Sequence, residues 1–142
     1  MKLVRQLRYR LLWLRCLLQV LASSVSLKID ANVAVQRARR RSERGRLPGN
    51  AAEWSEIALL GHAVSTAGSW VVDARKPCLP IALATQKLLS RRGYRVQLCF
   101  GVYRKGAAID GHAWVECAGR CVVGRPSPGI VAMQPPGASP RG

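Results

Sequence analysis

The spacing of the apolar residues changes once along this chain, at Gly93. Before Gly93 the apolar residues recur every three or four positions, which is the spacing of one helix face. Over residues 94–103 they alternate with other residues, which is the spacing of a strand. Helices that precede a run of short strands predict an α+β domain, with the helices packed on a small antiparallel sheet. A length of 142 residues is enough for one such domain.

Four helices are predicted before Gly93 and three strands after it. The helices cover residues 3–22, 31–44, 53–67 and 78–92. The strands cover residues 94–103, 112–117 and 121–123, with a polar loop over 104–111 and a turn over 118–120. This order divides the chain into a basic helical region (1–46) that packs on or docks to a core (47–124), and a tail (125–142). The prolines and glycines of the tail predict irregular structure.

The first predicted helix carries a leucine stripe. Its members recur at helical spacing and are Leu7, Leu11, Leu14, Leu18 and Leu21. Such a stripe usually packs against the rest of a domain, and a basic amphipathic helix can also lie on a membrane surface. Arg15 and Gln19 interrupt the apolar run, so no stretch is expected to approach the roughly 18 apolar residues of a membrane span. A cleaved signal peptide is not expected either.

Charge and cysteine content limit the partners and the compartment. The net charge is +16, and most of the excess lies in residues 1–46. A field of this sign attracts nucleic acid, lipid headgroups or acidic polypeptides. The arginines of residues 39–46 have no interleaved aromatic side chain on which bases could stack, so nucleic acid is not expected as a partner. The five cysteines are odd in number and follow no framework spacing, which predicts free thiols and a cytoplasmic protein.

Cys78 and His112 are the candidate nucleophile and base. Cys78 opens the fourth predicted helix, where unpaired backbone N–H groups and the positive end of the helix dipole favour a thiolate. His112 begins the second predicted strand, and an imidazole that titrates near neutral pH suits the transfer of the thiol proton. Such pairs meet in space rather than in sequence. His62, inside the third predicted helix, is expected to be structural or exposed.

Two motifs around these residues resemble one family closely. The first is Cys78-Leu79-Pro80, which is followed by Leu88-Leu89 and by Arg91-Arg92-Gly93. The second is Gly111-His112-Ala113-Trp114-Val115-Glu116. Over about residues 50–124 the chain resembles the leader peptidases of lasso-peptide biosynthesis, a branch of the transglutaminase-like cysteine proteases. The resemblance implies a papain-like α+β fold.

The resemblance also implies an activity and a set of partners. The family cuts the leader from a ribosomally made precursor peptide. A partner cyclase similar to asparagine synthetase then joins the freed amine to an Asp or Glu side chain. A small leader-binding domain, fused or supplied as a separate chain, recognises the leader. Cys78 matches the family nucleophile and His112 its base, and no cofactor is implied.

Trp114 and Glu116 belong to the second motif. The period of two along a strand places both side chains on the face that carries His112. Trp114 is therefore expected either to wall the site or simply to pack. Glu116 is expected either to orient another group or to be solvated.

The third catalytic residue is missing from its usual place. The family has an acidic residue just after the hairpin, which holds the imidazole in one tautomer. Here the matching stretch reads Val123-Gly124-Arg125-Pro126. Asp110 is the first candidate to replace the acid, and Asp73 and Glu116 are weaker ones. A carbonyl group or a water molecule could orient the ring instead.

The same residues are also compatible with two other functions. The first is an acyl transferase of the same superfamily, which would use a different acceptor. The second is a non-catalytic basic binding protein in which Cys78 is structural.

Cys117 and Cys121 flank a tight turn, but zinc needs four ligands and only His112 is adjacent. Free thiols or a disulfide are therefore expected there, and no metal site.

Overall fold

The computed structural model describes residues 1–71, 78–126 and 128–133. Within these residues, three helices precede four strands: α1 (Lys2–Ser42), α2 (Ala51–Val71), α3 (Cys78–Arg91), β1 (Gln97–Lys105), β2 (Ala108–Cys117), β3 (Arg120–Val123) and β4 (Val131–Met133). Gly93 has a φ of 90°, a conformation that glycine adopts readily at a helix end. The predicted α+β class and the change from helix to strand after Gly93 are confirmed.

Helix α1 is two helices joined at a kink. Asp30 has a φ of −156° and a ψ of 99°, which lie outside the helical region. Its Oδ1 accepts a hydrogen bond from the backbone N–H of Val33 at 3.2 Å, so Asp30 caps the second half as an N-cap residue does. The two predicted helices are therefore present, but the first extends beyond residue 22 as far as this cap.

The leucine stripe does not pack against the rest of the domain, and that prediction is wrong. The buried residues of the first half of α1 are Cys16, Gln19, Val20 and Ser23. The five leucines are between 40% and 58% exposed. The buried residues are mostly small, and small side chains allow helices to approach closely. Among the larger side chains of α1, Trp13 packs edge-on against Trp70 of α2, with ring centroids 6.2 Å apart.

Helix α1 is also more apolar than the interrupting Arg15 and Gln19 suggest. An 18-residue window of it has a mean hydropathy of 1.4, so α1 is long and apolar enough to cross a membrane by length and composition. The expectation that no stretch approaches a span is therefore wrong, because the leucines outweigh the two interruptions. Core helices of soluble proteins and signal sequences share this property.

The ends and contacts of α2 and α3 follow from local hydrogen bonds. Asn50 Oδ1 accepts the Glu53 N–H at 3.0 Å, and Glu53 Oε2 accepts the Gly49 N–H at 2.7 Å, so α2 begins with a reciprocal cap. Buried Gln86 of α3 donates to the Ala38 carbonyl at 2.9 Å and accepts from Arg41 Nε at 3.0 Å. These bonds join α3 to the second half of α1.

The sheet has the strand order β3-β2-β1-β4, and each described pair is antiparallel. Strands β1 and β2 stay paired as far as Lys105 and Ala108, so the predicted polar loop over 104–111 is wrong. Gly106 has a φ of 63°, and this left-handed conformation allows the chain to reverse in two residues. The predicted turn over 118–120 is present, with positive φ at Ala118 and Gly119.

The tail is not wholly irregular, in contrast to the prediction for 125–142. Strand β4 pairs with β1 from Val102↔Val131 to Phe100↔Met133. Without β4, the backbone groups at this edge of β1 would have no strand partner, and an exposed strand edge favours pairing. Residues 134–142 lie outside the described part of the chain.

Candidate active site

Cys78 is the first described residue of α3. Its side chain is half-buried, is a free thiol and packs against the hydrophobic core. Helix α3 packs between the other helices and the sheet, and a thiol at a helix start lies beside the unpaired backbone N–H groups of the first turn. Asp73, a weaker candidate for the third catalytic residue, lies outside the described residues, as does Pro77.

His112 lies on β2 opposite Gly101 of β1. Its Nε2 is 2.6 Å from the backbone carbonyl oxygen of Gly124. A carbonyl can only accept a hydrogen bond, so this contact assigns the ring hydrogen to Nε2 in the neutral imidazole. The assignment leaves Nδ1 with a free lone pair, which a general base requires.

Gly124 stands in the stretch where the resemblance leads one to expect an acid. It follows β3 with a φ of 72°, and a Cβ added to it would lie 2.9 Å from the Ala113 carbonyl oxygen. The backbone of residue 124 therefore approaches β2 more closely than a side chain allows. Of the alternatives that the sequence left open, a backbone carbonyl is the group that contacts the His112 ring here.

Asp110 lies two residues before His112, opposite Tyr103 of β1. Its Oδ2 accepts a hydrogen bond from the Tyr103 hydroxyl at 3.3 Å, and its Oδ1 accepts one from the Gly111 N–H at 2.9 Å. The carboxylate thus holds the phenol of Tyr103. This contact gives Asp110 a role in the site that does not require it to touch the imidazole.

Tyr103 is a site residue that the sequence interpretation did not identify. Burial, the charge of Asp110, the hydrogen bond to Asp110 and the charge of the Cys78 thiolate together raise the pKa of its phenol. The last cause means that the charge of the Cys78 thiolate acts on the Tyr103 phenol. Strand alternation could have identified Tyr103, but the predicted loop removed its partner strand.

Trp114 and Glu116 share the face of β2 with His112, as predicted. The His112 and Trp114 rings are stacked, with centroids 5.9 Å apart and planes inclined by 19°. The indole Nε1–H donates to Glu116 Oε1 at 2.9 Å. Trp114 is 4% exposed, so it forms a buried wall for the imidazole, and Glu116 fixes the indole.

Gly101 makes room for this wall. A Cβ added to Gly101 would lie 3.0 Å from the Trp114 ring and would also overlap the side chain of Ile130. The Trp114 ring and the Ile130 side chain, just before β4, therefore both approach the backbone of Gly101. This arrangement explains why the strand opposite His112 and Trp114 has a glycine at its centre.

An open groove lies beside Gly124, between α2 and β3. Its volume is about 670 Å³, and its lining includes Trp54, His62, Arg120 and Arg125. His62 is exposed there. A Cβ on Gly61 would lie 2.9 Å from Val122, so the glycine lets α2 approach β3 along the groove floor. Two arginines give the groove a positive charge.

Of the other described cysteines, Cys99 is the register partner of Trp114, Cys16 lies in α1, and Cys117 and Cys121 flank the turn between β2 and β3. The Cys117 and Cys121 thiols are free and face different backbone carbonyls, those of Arg95 and Val123, at 3.4 Å each. Burial raises the pKa of both thiols, and it raises the pKa of Cys16 to about 11. In the described part of the chain, no group of three His, Cys, Asp or Glu side chains could hold a metal ion.

The cysteines are expected to differ in reactivity. Limiting iodoacetamide near pH 7 should label Cys78 before the other four cysteines. Only the thiolate reacts, and burial holds Cys16, Cys117 and Cys121 as thiols. Peptide mass mapping of the folded protein measures the order. Cys16 is also fully buried, so its labelling should stay slow until the protein unfolds. An inert Cys78 beside a labelled Cys117 would contradict the nucleophile assignment.

Mutation can distinguish whether Asp110 or the Gly124 carbonyl orients the His112 ring. Asp110→Asn should lower kcat/KM only slightly, because the Gly124 carbonyl already contacts Nε2. Gly124→Ala should lower it about tenfold, because the added methyl moves that carbonyl and a small displacement of a catalytic group is costly. The ¹⁵N chemical shifts of His112 should report one tautomer in the wild type and a mixture in Gly124→Ala. A large loss in Asp110→Asn with an unchanged Gly124→Ala would make Asp110 the orienting residue.

Comparison with known proteins identifies one family. A family model described as the transglutaminase-like superfamily matches residues 11–130. No curated protein and no solved structure matches the chain significantly. The matched range contains α2, α3, the three strands β1–β3 and all but the N-terminal end of α1.

Proposed function

The chain belongs to the transglutaminase-like superfamily, and we propose that it is a cysteine peptidase that removes the leader from a lasso-peptide precursor. Superfamily membership supports thiol-based cleavage or acyl transfer. The finer assignment rests on the two motifs that begin at Cys78 and Gly111. Cys78 is the proposed nucleophile and His112 the proposed base.

The contact between His112 Nε2 and the Gly124 carbonyl carries the proposal. At 2.6 Å it supports a single ring orientation with Nδ1 free. The stacked Trp114, fixed in turn by Glu116, supports the same orientation from one side. In related sites an acid holds the base in one tautomer. The contact with the Gly124 carbonyl would do the same here, so the absence of an acid at residues 123–126 does not remove the function.

The proposed reaction begins with transfer of the Cys78 proton to Nδ1 of His112. The thiolate attacks the carbonyl carbon at the leader–core amide, and the Cys78 backbone N–H stabilises the oxyanion as one of its donors. His112 then gives its proton to the leaving amine of the core peptide, and the C–N bond breaks. A water molecule, deprotonated by His112, hydrolyses the thioester and releases the leader carboxylate. The thiol is regenerated.

The same assignment implies the partner proteins and the location of the reaction. The core peptide leaves with a free amine, which an asparagine-synthetase-like cyclase would join to an Asp or Glu side chain. A separate leader-recognition protein would present the leader. The reaction needs no cofactor, and free thiols suit a cytoplasmic location.

An acyl transferase of the same superfamily would use the same thiolate and the same thioester. The two activities differ in the group that accepts the acyl chain. Incubation of the protein with a precursor peptide and excess primary amine, followed by mass spectrometry, separates them. The proposal expects a leader with a free carboxylate and an intact core peptide. A leader that carries the amine would favour the transferase, and no thiol-dependent product of either kind would favour a non-catalytic binding protein.

A further inference from the structure

The outward side of α1 before the kink is an apolar surface on which no described residue packs closely. We call it the outer face; its members are Leu3, Val4, Leu7, Leu11, Leu14, Leu18, Leu21, Val25 and Ile29. Their exposed fractions run from 40% at Leu21 to 80% at Ile29. The face spans roughly 39 Å at 1.5 Å per residue. An exposed apolar surface of this extent marks an interaction site.

The opposite side of α1 packs on the domain and so fixes the direction in which the outer face points. Cys16 and Val20 are fully buried, and Leu12, Trp13 and Leu17 pack against the core. One side of the helix is thus attached to the domain from Leu12 onward, whereas residues 1–11 are exposed on all sides. The length and mean hydropathy of α1 would permit a span, but a helix held in this way would have to leave the domain to cross a bilayer. It can lie flat on a surface.

Basic residues border the outer face on both sides. At 100° per residue, Arg8 and Arg15 follow one border, and Arg10 and Lys28 follow the other. All four are exposed. Long basic side chains beside an apolar face can place their charges at the level of lipid headgroups while their methylene groups stay in the apolar layer. Residues 1–29 contain no Asp or Glu.

We propose that the outer face of α1 binds the surface of an anionic lipid membrane. The leucines enter the boundary between headgroups and acyl chains, and the bordering arginines contact lipid phosphates, as in other interfacial helices. The helix lies parallel to the membrane because its other side is packed on the domain. The active site, carried by α3 and the sheet, stays in the aqueous phase.

Charge argues against a second copy of this chain as the occupant. Two outer faces packed together would bring Arg8, Arg10, Arg15 and Lys28 of each copy close to those of the other, with no acidic residue before Asp30 to pair with them. Like charges opposed across an interface are unfavourable. An anionic lipid surface matches both the apolar stripe and its two basic borders.

Vesicle co-sedimentation of the full chain tests the proposal. The wild type should bind vesicles that contain phosphatidylglycerol, bind neutral phosphatidylcholine vesicles weakly, and release as salt rises. The variant Leu11→Gln/Leu18→Gln should need at least about tenfold more lipid for half-maximal binding. The matched control Leu47→Gln/Leu59→Gln changes two equally exposed leucines elsewhere and should bind like the wild type.

Circular dichroism and light scattering complete the test. All the changed side chains are exposed, so the variants should keep the wild-type helix content. Equal binding by the two leucine variants, or no wild-type binding to anionic vesicles, would overturn the proposal. A dimer that Leu11→Gln/Leu18→Gln dissociates would assign the outer face to a second copy instead. A leader-recognition protein that binds the wild type without lipid, but not this variant, would assign it to a protein partner.

Discussion

Cys78→Ala is expected to lower leader cleavage by at least about a thousandfold, since no other group would form the thioester. His112→Ala should have a similar effect, because the thiolate and the protonation of the leaving amine both depend on the imidazole. The double variant should be little worse than either single one, since the two residues act as a unit. Single-turnover cleavage of the precursor, followed by mass spectrometry, measures all three.

The control for this series is Cys16→Ala. Cys16 is fully buried in α1, where burial raises its pKa to about 11, so it takes no part in the proposed chemistry. Its removal should leave kcat unchanged even if stability falls slightly. Far-UV circular dichroism should show that Cys78→Ala and His112→Ala remain folded. Cleavage by Cys78→Ala at a rate near the wild type would end the peptidase proposal.

A leader-recognition protein, added as a separate chain, is expected to raise the cleavage rate about a hundredfold or more. Peptides are commonly recognised in a groove or by adding a strand to an exposed sheet edge. In the described part of this chain, residues 2–42 form two helices joined at Asp30, and every strand belongs to the sheet that carries His112. A dedicated leader-binding sheet is therefore expected on the partner. Tethering the leader beside Cys78 would raise its local concentration to about millimolar.

The measurement is kcat/KM for the precursor with and without the recognition protein, at a fixed concentration of this chain. A precursor with a scrambled leader and an unchanged cleavage junction is the control, and its slow cleavage should not respond to the partner. Equal rates for the natural precursor in both conditions would mean that this chain recognises the leader alone. The catalytic assignment would then still hold, and the expected need for a separate leader-recognition protein would be rejected.

Several features of the site could be derived from the sequence because they depend on local geometry. The apolar spacing of α3 starts at Cys78, the first described residue of that helix. His112, Trp114 and Glu116 share a face because strand side chains alternate. Asp110 and Tyr103 could not be paired, because an unbroken hairpin through Gly106 looks like a polar loop in the sequence. The Gly124 carbonyl could not be found either, since any residue carries a carbonyl.

The sequence by itself determined the α+β class, the order of helices before strands, and the apolar and basic surfaces of α1. Only the tertiary structure decided which surface of α1 is buried. Apolar spacing shows that a helix has an apolar side, but the side that packs is the one whose shape fits its neighbours. In α1 the side that carries Cys16, Val20 and Ser23, together with Leu12 and Leu17, fits against the domain, and the leucine stripe points outward. Close packing rewards complementary shape as well as hydrophobicity, and shape is a property of two surfaces that only the folded chain brings together.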